Sequence, residues 1–298
     1  MTVKMTVVNT DKQALADLRA QIDQIDITLH NTLRERAEVI EHVRKIKGKQ
    51  TIYIRPGREA QMLRALMGRP QGKLPEGLVV RLWREMISAF TLQEGGLKVA
   101  VHAPDKGPDL WDAARDHFGS FTPLMESGSA VAAIKALQAG KVTVAVVPPP
   151  VAGEKDSWWP LLAGDRKNVL TVFASLPFET LKPGRANARR ALPSGLIVGK
   201  LYPELTGDDR SFLVLQCVHV PEAEMRRLLG KAGYKVRQML AQTVGRSGSA
   251  PTSFLVEVDG YVGRADTRLS RIRAMLGSRL QHLAPMGGYA VPLKNGRR

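Results

Sequence analysis

One long helical pattern constrains the fold of this chain more than any other feature. Residues 11–49 contain no proline and no glycine before Gly48, and apolar residues recur at steps of mostly three and four. This period is typical of a helix with one apolar face. The face consists of Leu18, Ile22, Ile25, Leu29, Leu33, Ile40 and Val43. We therefore expect a long helix that buries this side.

Two cations fall on the same face. Arg36 lies seven residues from Leu29 and from Val43, and Lys47 lies seven residues from Ile40. No acidic residue occupies the face between residues 33 and 47, and burying an unpaired cation is costly. Two interpretations remain open: a ligand supplies the missing negative charge, or both side chains reach water at the edge of the face.

Two further helical patterns complete residues 1–97. A short one ends at Gly68, and a longer one ends at Gly95–Gly96, where glycine is a common helix terminator. A helical unit this thin usually buries its apolar face against a second copy. We therefore predict an N-terminal all-α, three-helix domain over residues 1–97.

Strand patterns begin after residue 97. Residues 98–210 alternate strand and helix patterns, which is typical of an α/β region. Residues 211–298 follow the order strand, helix, strand, strand, helix, strand, which indicates an α+β, ferredoxin-like domain. The predicted fold is therefore multidomain, with boundaries at residues 97 and 210.

Composition limits the class of protein. The 298 residues include a single cysteine, which excludes an internal disulfide and a thiolate zinc cage. The N-terminus has no secretion signal, and no apolar run approaches the ~18 residues that span a bilayer. The six histidines lie singly, so we expect no metal and no cofactor. We expect a soluble cytoplasmic protein.

The net charge of +16 favours anionic partners of any size, from nucleic acid to small di-acids. A nucleic-acid-binding protein is the main rival from another class, because one predicted helix carries several arginines. They are Arg268, Arg271, Arg273 and Arg279. However, aromatic residues make up only 5% of the chain, and no helix-turn-helix or RNA-recognition signature is present. We therefore expect no nucleic acid and no membrane among the partners.

The helical segment has a specific motif spacing. It contains LR-x6-D-x9-R-x10-K, then RE within RPGREAQMLRAL, then a helix with an acidic residue near its end. Over residues 11–97 this pattern resembles the all-helical class of chorismate mutases. In particular, it resembles the mutase domain at the front of bifunctional chorismate mutase–prephenate dehydratases.

The resemblance implies a role for each matching residue. Arg36, Lys47 and Arg58 match the cations that bind the substrate. Glu59 matches the residue that binds the substrate hydroxyl, and Glu94 matches the one that contacts the ether oxygen. The catalytic residues would be Lys47, Glu94 and Arg58. Glu94 can donate a hydrogen bond to the ether oxygen only when protonated, so activity should fall as the pH rises.

The resemblance also implies an intertwined homodimer. Arg19 matches the substrate-binding arginine that the partner chain contributes in this family. It lies 17 residues before Arg36, about 100° around the helix, and therefore points away from it. Two positions depart from the family. Arg55 replaces an acidic residue and is free to bind an anion or face water, and Phe90 replaces a small hydroxyl residue.

Residues 98–298 resemble the dehydratase and regulatory regions of the same bifunctional family in degenerate form. The polar residues after the family's Val-Val-Pro phrase are replaced by Pro149, Pro150 and Val151. The position of the family's catalytic Thr-Arg-Phe motif holds residues 210–212, which read Arg-Ser-Phe. We therefore expect a degenerate dehydratase-like region over 98–210 and an ACT-like domain over 211–298. Two interpretations of this half remain open: it binds an amino-acid effector, or it is a structural or dimerising scaffold.

Together, these patterns predict a chorismate mutase that converts chorismate to prephenate in aromatic amino acid biosynthesis. The rearrangement is unimolecular, so the site needs positioning and electrostatic stabilisation rather than a nucleophile. Arginines suit the two carboxylates of chorismate, and a compact ammonium suits the oxygen that gains charge. The alternative is a bifunctional chorismate mutase/prephenate dehydratase.

Overall fold

The computed structural model describes residues 3–48, 53–75, 77–104, 109–154, 156–163, 169–180, 194–243 and 251–294. The chain divides into two compact units, Met1–Thr51 and Ile52–Arg298. The domain boundaries expected at residues 97 and 210 remain predictions. Each unit is described by itself below.

The first unit is a single helix, α1 (Val3–Lys47). It confirms the predicted long helix and begins about two turns earlier than the pattern indicated. Burial of the apolar face against a second copy stays a prediction, since in the single chain Ile25 and Leu29 are 58% and 57% exposed. The physical reason is that a lone helix has nothing within its own unit to pack against. The other exposed members are Leu18, Ile22 and Leu33.

Two helices begin the second unit: α2 (Pro56–Met67) and α3 (Leu78–Gly95). Proline at the first helical position of α2 is favourable, because that position needs no N–H donor. Both helices end where glycines predicted it, with Gly68 and Gly96 as C-caps. Their apolar sides meet in a core cluster of Ala60, Leu63, Val80 and Phe178.

The α/β part alternates strands and helices as predicted. Its elements are β1 (Val99–Val101), α4 (Leu110–Phe118), β2 (Leu124–Glu126), α5 (Ala130–Gln138), β3 (Val144–Val147), α6 (Pro160–Ala163), β4 (Thr171–Leu176), β5 (Glu179–Thr180) and β6 (Gly195–Gly199). Alternate residues of β3 join two different core clusters, one with α4 and one with α5. The two helices therefore cover opposite faces of the sheet.

The C-terminal part has the predicted βαββαβ order. Its elements are β7 (Asp209–Cys217), α7 (Glu222–Ala232), β8 (Val236–Thr243), β9 (Thr252–Asp259), α8 (Thr267–Leu276), a 3-10 turn (Gly277–Arg279), β10 (Leu280–Ala290) and β11 (Leu293–Lys294). Strands β10, β7, β9 and β8 are neighbours in that order, and all pairs are antiparallel. This is the strand order of a ferredoxin-like sheet.

One sheet joins the two parts. Its order is β2-β1-β3-β6-β4-β10-β7-β9-β8, and β10 pairs with β4 through Gly287 and Val172. At this junction β10 has two successive glycines. A Cβ on Gly287 would collide with the carbonyl of Val172, and one on Gly288 with the carbonyl of Arg210. Only glycine therefore allows β10 to lie this close to strands on both sides.

Candidate active site

Helix α1 carries three of the six predicted substrate residues. Arg19 is exposed, and Arg36 is half-buried; burial lowers the pKa of the Arg36 guanidinium. Lys47 is the last residue of the helix. At ~1.5 Å per residue, the backbones of Arg36 and Lys47 lie about 16 Å apart, and those of Arg19 and Arg36 about 26 Å apart. Along the helix, the backbone of Arg36 therefore lies nearer to Lys47 than to Arg19.

Two more predicted residues lie in the first turn of α2. Arg58 is exposed, and Glu59 beside it is nearly buried. The Oε1 atom of Glu59 accepts a hydrogen bond from the backbone N–H of Arg55 at 3.3 Å. Its Oε2 atom accepts one from Nη1 of Arg84 at 2.7 Å. Glu59 is therefore a carboxylate fixed at both oxygens.

Arg84 is the site residue that sequence reasoning missed. It lies on α3, and its side chain is only 7% exposed. Its guanidinium carbon lies 5.2 Å from the ring centre of Phe178, and its Nε has no hydrogen-bond partner among the described residues. Burial lowers the pKa of Arg84, and the charge of Glu59 opposes that shift. Its burial could have been predicted from the sequence, because Arg84 lies four residues from both Val80 and Ser88 on the buried face of α3.

Glu94 lies in the last turn of α3 and is half-buried. Tyr53, three residues before α2, packs so closely on Gly95 that an added Cβ would collide with its ring. The segment before α2 and the end of α3 are therefore neighbours. The pairing of Glu59 with Arg84 places the first turn of α2 opposite the middle of α3, ten residues before Glu94.

The two departures from the family pattern have separate outcomes. Arg55 neither binds a free anion nor simply faces water, because its guanidinium donates to Oε1 of Glu204 at 2.5 and 3.2 Å. The long side chain reaches a carboxylate of the loop before β7, which the local sequence could not reveal. Phe90 is half-buried on α3.

Residues 210–212, at the position of the dehydratase motif, make hydrogen bonds within the C-terminal sheet and its loops. The Ser211 hydroxyl donates to the Gly260 carbonyl and accepts from the N–H of Val262, both at 2.9 Å. Arg210, which stands in place of the family's threonine, approaches Tyr289 and the buried Glu257. These groups tie β7 to β9, to β10 and to the loop that follows β9.

Two other kinds of site were sought in the described part of the chain. Within those residues, no group of three or more histidine, cysteine, aspartate or glutamate side chains could hold a metal ion. None of the described helices is long and apolar enough to cross a membrane.

Comparison with known proteins identifies the helical segment. Residues 18–95 match the family model of chorismate mutase type II. The bifunctional chorismate mutase/prephenate dehydratase of Pseudomonas aeruginosa is 33% identical over 144 residues, which is 46% of this chain and 39% of that protein. The protein of the same name from Neisseria gonorrhoeae is 36% identical over 110 residues, which is 37% of this chain and 30% of that protein.

This chain therefore spans less than half the length of the curated relatives it matches. Among solved structures, prephenate dehydratase from Streptococcus mutans covers 66% of this chain and all of its own, at 16% identity and a TM-score of 0.44. At that TM-score the likeness supports no conclusion about this chain. The resemblance of the N-terminal helices to chorismate mutases is confirmed for residues 18–95.

Proposed function

We propose that the protein is a chorismate mutase that converts chorismate to prephenate. The observation that carries the proposal is the match of residues 18–95, because every predicted substrate residue from Arg19 to Glu94 lies inside it. The exposed guanidinium of Arg58 and the fixed carboxylate of Glu59 support it, because an exposed arginine can bind a substrate carboxylate and a fixed carboxylate can accept from a hydroxyl.

The proposed mechanism needs no covalent step. Arg36 and Arg58 bind the carboxylates of chorismate and hold its enolpyruvyl chain over the ring. Glu59 accepts a hydrogen bond from the substrate hydroxyl. Lys47 and protonated Glu94 donate to the ether oxygen as its bond to carbon breaks and negative charge grows there. The same groups bind the transition state more tightly than the substrate, which is the source of the rate enhancement.

We also propose that the active form is a homodimer. The apolar face of α1 exposes Leu18, Ile22, Ile25 and Leu29 at more than half of their surface. A contiguous apolar face of this length on a soluble protein is typical of a protein interface. A second copy of α1 would cover it, and Arg19 would then serve the site of the partner chain.

The remaining residues are proposed to support rather than perform chemistry. The ferredoxin-like strand order of β7 to β10 is compatible with an ACT-like domain that binds an amino-acid effector. The region over 98–210 is proposed to be a degenerate dehydratase, because Arg210 replaces the threonine of the catalytic motif. We propose a cytoplasmic location.

An assay with two substrates tests the proposal. The purified full chain is given chorismate or, separately, prephenate, and the loss of chorismate and the formation of phenylpyruvate are followed. We expect chorismate to be converted to prephenate and no further. Arg36→Ala should lower kcat/KM by at least about 100-fold, the effect of removing one preorganised cationic donor.

The matched control for that variant is Arg34→Ala. Arg34 is an exposed arginine on the same helix, two residues away and outside the predicted face. It should retain wild-type turnover. Absence of chorismate loss in the wild-type protein would refute the proposal, and phenylpyruvate formed from supplied prephenate would establish the bifunctional alternative.

A further inference from the structure

Helix α2 is bound along its length by the loop between β6 and β7, residues 200–208. The N-cap and three residues of α2 lie at steps of three along the chain, and each makes at least one hydrogen bond to this loop. They are Arg55, Arg58, Gln61 and Arg64. Each step of three residues turns about 60° around a helix, so the loop winds along α2 rather than touching it at one point.

Glu204 of this loop caps the N-terminus of α2 from outside. The N-cap residue, Arg55, has no side-chain acceptor for the first N–H groups of the helix. The Oε2 atom of Glu204 accepts from the backbone N–H of Arg58 at 3.3 Å, while its Oε1 binds the Arg55 guanidinium. A carboxylate at this position also interacts favourably with the helix dipole.

The sequence of α2 is adapted to this contact. A Cβ on Gly57 would lie 2.5 Å from the Cβ of Glu204 and 3.1 Å from its Oε2. Any side chain there would push the carboxylate away from the helix. The backbone of Arg58, the next residue, is thus placed by a side chain 146 residues later in the chain.

Arg64 connects the same loop to the C-terminal sheet. Its Nη1 donates to the hydroxyl of Thr206 at 2.8 Å, and its Nη2 donates to the carbonyls of Asp208 at 2.8 Å and Val291 at 2.9 Å. Thr206 is held in turn by the carboxylate of Asp209, the first residue of β7. A continuous set of hydrogen bonds therefore runs from β7 and the end of β10 to α2.

We propose that Glu204 is a positioning residue for Arg58, and that the β6–β7 loop couples the C-terminal βαββαβ part to the mutase site. This inference rests on the proposed function, in which Arg58 binds a carboxylate of the substrate. Glu204 itself does not touch the substrate. It sets the geometry of the turn that carries Arg58, and a shift of β7 or β10 reaches that turn through Arg64.

The test uses the full chain with Glu204→Ala, and Glu222→Ala as its matched control. Like Glu204, Glu222 is an acidic residue beside the start of a helix, here in the first turn of α7, and it pairs with Arg226 at 3.6 Å at a similar exposure. Hydrogen exchange of the first turn of α2 is measured by mass spectrometry. We expect exchange about fivefold faster in Glu204→Ala, the effect of losing one helix cap, and no change there in Glu222→Ala.

The kinetic readout is turnover of chorismate. We expect kcat/KM to fall about tenfold in Glu204→Ala, mostly through a higher KM, because Arg58 binds a group present in both ground and transition states. Gly57→Ala should show the same fall in kcat/KM and rise in KM, because its Cβ displaces the Glu204 carboxylate. Circular dichroism and the thermal midpoint report whether each variant is folded.

The outcomes are separable. Unchanged exchange in folded Glu204→Ala and Gly57→Ala overturns the positioning of α2 by the loop. Faster exchange of the first turn of α2 with unchanged kcat/KM would show that the loop does not influence substrate binding by Arg58, and would overturn the proposal. If the wild-type protein does not convert chorismate, the proposed function fails, whereas faster exchange in Glu204→Ala would still establish the contact between loop and helix.

Discussion

The buried ion pair between Glu59 and Arg84 gives the sharpest prediction for stability. Glu59→Gln keeps the shape of the side chain and one oxygen acceptor but removes its charge. Arg84 is then a cation whose side chain is 7% exposed and whose Nη1 lies 2.7 Å from a neutral group. Breaking a buried pair on one side costs about 3–5 kcal/mol, and the 13% exposure of Glu59 favours the lower end. We expect the free energy of unfolding to fall by about 3 kcal/mol, equivalent to a thermal midpoint lower by about 6–12 °C.

Urea unfolding followed by tryptophan fluorescence measures this change. The matched control is Asp116→Asn, because Asp116 and Arg81 are also 2.7 Å apart but their side chains are 57% and 70% exposed. An exposed pair contributes about 0–1 kcal/mol, so the control should unfold nearly as the wild type does. Replacing both partners, with Glu59→Gln and Arg84→Met together, should recover most of the lost stability. Equal losses in the Glu59 and Asp116 variants would refute the argument from burial.

Two further predictions concern pH and assembly. Burial and the charge of Arg84 hold the pKa of His117 well below 6.5, so the unfolded chain binds a proton that the folded one rejects. The free energy of unfolding should therefore fall as the pH drops through about 6.5. His117→Gln should flatten the dependence of the urea midpoint on pH between 7 and 5. An equal slope in the wild-type and variant proteins would contradict this. Leu29→Glu on the apolar face of α1 should halve the mass measured by light scattering, whereas Asn31→Glu, two residues away on the same helix, should leave it unchanged. Equal masses for the two variants would remove the support for a dimer through this face.

Much of the fold was predictable because the relevant signals are local. The ends of α2 and α3 follow from Gly68 and Gly95–Gly96, and the βαββαβ order follows from six separate patterns. The three-residue strand β2 was not predicted, because three residues are too few to show alternation. The apolar side of α1 was predicted, but periodicity does not show what covers it.

The candidate site was predictable only in part. The motif spacing identified Arg58 and Glu59, which lie in the first turn of α2. It did not reveal that Glu59 is held by Arg84, although the position of Arg84 among the buried residues of α3 carried that information. The role of Glu204 could not have been predicted, because no local pattern relates a loop residue to a helix 146 residues earlier.

The glycine pair in β10 has a consequence for how this chain can change in evolution. Gly287 and Gly288 let β10 lie between β4 and β7, so the hydrogen bonds of β4 depend on a segment more than one hundred residues later. Deleting the last third of the chain would leave β4 with an unpaired edge, which is a template for aggregation. Single residues of the C-terminal part can therefore be replaced more readily than the strands that carry them.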